Sequence, residues 1–93
     1  MNGEHRADLI TRAEDYLVQM GALVNVVHIR VLLRIPHDDM TIKLIGVKIA
    51  SIEMLLQAVR DIDAGLTPSA KDLGMEIMKM HLKVMNEGME RNL

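Results

Sequence analysis

Apolar residues recur at three- and four-residue spacing along most of this chain, and the rhythm is clearest after Thr67. Asp72, Glu76, Lys79, Lys83, Asn86 and Glu90 make a solvated stripe. Ala70, Leu73, Ile77, Met80 and Val84 make the opposing one, widened by Met78, Leu82 and Met85, so the segment predicts a helix that buries its methionines on one broad face. In the middle of the chain Ile42, Ile45, Ile49, Ile52, Leu56 and Val59 alternate by threes and fours. Lys43, Gly46, Ala50, Glu53, Gln57, Arg60 and Ala64 take the other side. The first segment starts in the same way, with Ile10, Ala13, Leu17 and Met20 on one side. It continues as the heptad line Ile10, Leu17, Val24, Val31, with Met20 and Val27 between.

Two breaks separate these segments. Pro36 disfavours helical geometry at Ile35, and Asp38 or Asp39 can cap the second segment as a helix. Gly65 suits a position just past a helix end, Thr67 an N-cap and Pro68 a first helical turn. The pattern predicts one all-α domain over residues 1–93, a three-helix antiparallel bundle with helices at about 5–35, 39–64 and 68–90. The competing reading is α+β. Val27 to Ile35 alternates almost as a strand would, and a β-hairpin at about 26–49 would turn at Pro36. The helical reading is preferred because a two-stranded ribbon needs a covering partner and because Leu44-Ile45 breaks the alternation.

Composition sharpens this picture. Apolar residues are 49% of the chain, yet it has one aromatic residue (Tyr16), nine Met and no Cys. A chain this short buries roughly 60–65% of the surface its unfolded form exposes. The surplus after one helical seam is filled lies at Val26, Ile29, Leu32 and Leu33, and it predicts a homo-oligomer or a protein partner. Gly74 and Gly88, each seven residues from His81, are further interface candidates, since glycine permits close helix approach. Without cysteine there is no disulfide and no thiolate chemistry. A net charge of −2 gives no footprint for nucleic acid. The apolar stretch 22–35 is too short and too charged for a membrane span, and the polar start is unlike a signal peptide, so a cytoplasmic protein is expected.

Three chemistries have candidate residues. His28, Arg30, Arg34, His37, Lys43 and Lys48 gather around the first break, and His28, Arg30, Arg34, His37 and Lys43 are the candidates to hold a small phosphate- or nucleotide-type anion between subunits, since Arg presents a bidentate fork. Met78, His81 and Met85 share a helical face, and thioether with imidazole suits copper(I). An enzyme with an intersubunit active site is the third class, but no catalytic constellation appears in the spacing and no cofactor can be named. The stretch from Leu44 to Ile62, ending Gln57-Ala58-Val59-Arg60-Asp61-Ile62 after an Asp-bearing turn, is similar in layout to the helical hairpin of phage cyclic-nucleotide sponge proteins. That resemblance covers about a fifth of the chain, lacks the aromatic residues expected there and is too unspecific to identify a family. It implies an oligomer with an anionic ligand. The expectation is therefore a non-enzymatic, oligomeric helical binding protein.

Overall fold

The computed structural model of the chain describes residues 2–36 and 38–91. Helix α1 spans Asn2–Leu33, α2 spans Asp39–Asp63 and α3 spans Ala70–Arg91, and no strand occurs among the described residues. The β-hairpin is thereby excluded: α1 continues through the alternating segment, where local i→i−4 bonds need no partner strand.

The helix ends explain the boundaries. Ile35 N–H donates to the Arg30 carbonyl and Arg34 N–H to that of Val31, while Arg34 itself sits at φ +57°. This is a Schellman stop with arginine where glycine is usual. It ends α1 two residues before the predicted position. The same pattern closes α2, with Gly65 at φ +86°, Leu66 N–H on the Asp61 carbonyl and Gly65 N–H on that of Ile62. Asp38 caps α2 by accepting from Thr41 N–H at 2.8 Å. At α3 the cap is Ser69 rather than Thr67, because its Oγ accepts from Asp72 N–H at 3.2 Å.

Both adjacent pairs are antiparallel. Arg6 near the start of α1 meets Asp63 at the end of α2 at 2.8 Å, and Lys43 near the start of α2 meets Glu87 near the end of α3 at 2.9 Å. Helix α2 is central and packs on both others. The core is small: Leu9 and Ala13 of α1, Leu55, Ala58 and Val59 of α2 and Ile77 of α3. Ser51 is fully buried within α2, and its hydroxyl donates to the Val47 carbonyl at 2.7 Å.

The inward faces differ from those read in the sequence. In α2 the buried line is Ser51, Leu55, Ala58 and Val59, whereas Ile42, Ile49 and Leu56 stay exposed. In α1 it is Leu9 and Ala13, while Leu17, Val24 and Val31 of the heptad line are exposed. In α3 Ile77 and Val84 are buried, but Met75, Met78, Leu82, Met85 and Met89 face solvent, so the methionines do not form a buried face. The cause is geometric. A central helix flanked on two sides turns the line between its neighbours inward, and each outer helix contributes one narrow stripe. The molecule measures 49 × 29 × 15 Å with a radius of gyration of 15.7 Å, against roughly 12 Å for a compact chain of this length.

Candidate functional site

At the level where the core ends, each helix places one polar residue on its inward line. Tyr16 lies one heptad after Leu9, Lys48 one heptad before Leu55, and His81 one turn after Ile77. The three meet. Lys48 Nζ lies 2.8 Å from His81 Nε2 and 5.2 Å from the centre of the Tyr16 ring, and the Tyr16 and His81 rings are 5.5 Å apart. His81 Nδ1 lies 2.8 Å from the Ile77 carbonyl oxygen. A carbonyl accepts only, so Nδ1 donates to it, and Nε2 is left facing the Lys48 amine.

These residues line a cleft of about 470 Å³ together with Arg12, Gln19, Gly74, Ile77 and Met78. Two cations face it and no carboxylate lines it. Arg12 is paired outside the cleft with Asp8 at 3.1 Å. Lys48 differs: its contacts are an imidazole nitrogen and an aromatic face, a cation–π arrangement. Burial pushes the Lys48 ammonium below its usual range, because the charged form loses water that these contacts replace incompletely. Gly74 and Met78 continue the cleft onto an apolar groove on α3 lined also by Ala70, Lys71, Met75 and Lys79.

The residues proposed from sequence sit elsewhere. Arg30 donates to the Pro36 carbonyl at 2.9 Å and fastens the α1–α2 turn. Lys43 is bridged to Glu87. His28 and Arg34 are exposed near the end of α1, and His37 lies outside the described residues. Of the methionine–histidine set, Met78 and Met85 are exposed and both nitrogens of His81 are engaged, so a metal would have to displace Lys48 or the Ile77 contact. Among the described residues no cluster of His, Cys, Asp or Glu could hold a metal ion. Of the glycines, Gly88 lies against the Met40 thioether, whereas nothing crowds Gly74, which lines the cleft instead. Val26, Ile29, Leu32 and Leu33 are exposed, as the surplus required.

Sequence reasoning missed Arg12, Tyr16 and Gln19, and it grouped Lys48 with the charges of the first break rather than with Tyr16 and His81. The signal was present: a lysine in register with Ser51 and Leu55 stands on a core line. It was hidden because the α2 seam was centred on Ile42, Ile49 and Leu56. By length and composition, α1 over His5–Leu33 is also long and apolar enough to cross a membrane. The stretch 22–35 is part of this longer helix, which runs unbroken through Gly21, and Tyr16–Leu33 holds one Asp, Glu, Lys or Arg residue, Arg30.

Compared with known protein families, curated proteins and solved structures, the chain matches none.

Proposed function

We propose that this protein is a non-enzymatic helical binding protein that holds a small anionic ligand of the phosphate type in the Tyr16–Lys48–His81 cleft. The observation that carries this reading is the setting of Lys48. A half-buried ammonium lines a cleft in which it meets an imidazole nitrogen and an aromatic face and which no carboxylate lines, so an incoming anion would supply the charge it lacks. Arg12 adds a second, forked donor at the rim. Ile77, Gly74 and Met78 offer apolar contact to whatever carries the anion.

The test is calorimetric titration with inorganic phosphate, pyrophosphate and a nucleoside monophosphate. The expected result is binding to the native chain that weakens at least tenfold in Lys48→Met, with helicity by circular dichroism unchanged. Absence of binding to all three anions, or equal affinity in Lys48→Met, rejects the cleft. Loss of binding in Arg30→Ala with Arg34→Ala, but not in Lys48→Met, would move the ligand to the α1–α2 turn.

A further inference from the structure

The heptad lines that fail to reach the core share one face of the molecule. Leu17, Val24 and Val31 follow one line of α1, and Ile42, Ile49 and Leu56 one line of α2. All six are exposed. The Arg6–Asp63 ion pair fixes their relation, since Arg6 lies three turns before Leu17 and Asp63 one heptad after Leu56, on these same two lines. The two lines therefore face the same side of the hairpin. Antiparallel packing lays the two lines side by side, three aliphatic residues on each. The α3 contacts of α2 run instead through Met40, Lys43 and Lys48, so α3 does not cover this face.

We infer that a second copy of this chain covers the face of Leu17, Val24, Val31, Ile42, Ile49 and Leu56, related by a two-fold axis that brings two α1–α2 hairpins together as a four-helix core. The area supports this occupant. The chain exposes 6692 Å², whereas a compact monomer of its mass exposes roughly 5,400 Å². The excess of about 1,300 Å² exceeds the roughly 800 Å² each partner contributes to a stable interface. The aliphatic residues repeat every heptad on both helices, as a bundle core does, and a two-fold contact needs a patch that is complementary to itself. This pairing goes beyond the anion site and does not depend on it.

Sedimentation equilibrium and native mass spectrometry of the full chain in detergent-free buffer test the pairing. The expected mass is twice the 10.5 kDa of one chain at micromolar concentration. Val24→Lys and Ile49→Lys should each fall to one chain, while Leu66→Lys, an exposed apolar position in the α2–α3 turn, stays assembled. A monomeric native chain, lysine variants that remain assembled, or a chain recovered only with lipid vesicles or detergent would overturn the inference. If the lysine variants do not fold, the absence of native cysteine gives a second reading. Val24→Cys, alone or mixed with Ile49→Cys, should form a covalent dimer on oxidation, and failure of both while Leu66→Cys crosslinks equally well or better rejects the face.

Discussion

Arg34 carries a backbone conformation that its side chain does not favour. At φ +57° its Cβ crowds the neighbouring carbonyl, and the equivalent stop at the end of α2 uses Gly65. Arg34→Gly should therefore raise stability by about 0.5–1 kcal/mol in urea titration, provided the guanidinium holds nothing. An unchanged or lower midpoint would show that the Arg34 side chain contributes a contact worth as much as the strain. Lys48 presents the opposite balance at the same scale: burial pushes its ammonium below the usual range, and its contacts are an imidazole nitrogen and an aromatic face. Both residues depart from what local stability alone would choose.

Helix α2 is fastened at its two ends by carboxylates, and these set its response to acid. The Thr41 backbone N–H holds the Asp38 carboxyl below the usual carboxylate range, and the hydrogen bond from Arg6 does the same for Asp63. A lowered folded-state pKa means that the stabilisation is complete above the unfolded value of about 4 and disappears as pH falls through the folded values. The urea midpoint should thus begin to fall below about pH 4. Asp38→Asn, which still caps but does not titrate in this range, should flatten that limb while leaving the pH 7 midpoint close to native; an equally steep limb would place the acid sensitivity elsewhere. The elements themselves were well marked in the sequence, down to the Gly65 stop and the Asp38 cap. The orientation of each helix was not. The pattern placed Ala13 and Val59 in the core and Ile10 and Ile52 against it, but it also pointed to Leu17, Val24 and Val31 and to Ile42, Ile49 and Leu56, whereas the chain's own core adds Leu9, Ser51 and Leu55. Periodicity states that a face is to be covered without saying by what, and that ambiguity also hid the inward position of Lys48.

At the scale of the whole molecule, the thin 15 Å dimension explains why so much apolar surface remains. Domains normally close a core between two packed layers, and here three helices lie close to a single layer about a small cluster centred on Leu55. If a second copy provides the other layer, folding and association are coupled, and stability depends on protein concentration. Each tenfold dilution then removes about 1.4 kcal/mol from the assembled state, which for two chains of this size lowers the thermal midpoint by about 3–5 °C. Differential scanning calorimetry over two decades of concentration reads this directly. The native chain should show the shift, and Val24→Lys, having lost the interface, should unfold at a lower midpoint that does not move with dilution. A native midpoint independent of concentration would mean that the small core is stable by itself, and that the exposed heptad lines serve neither folding nor self-association.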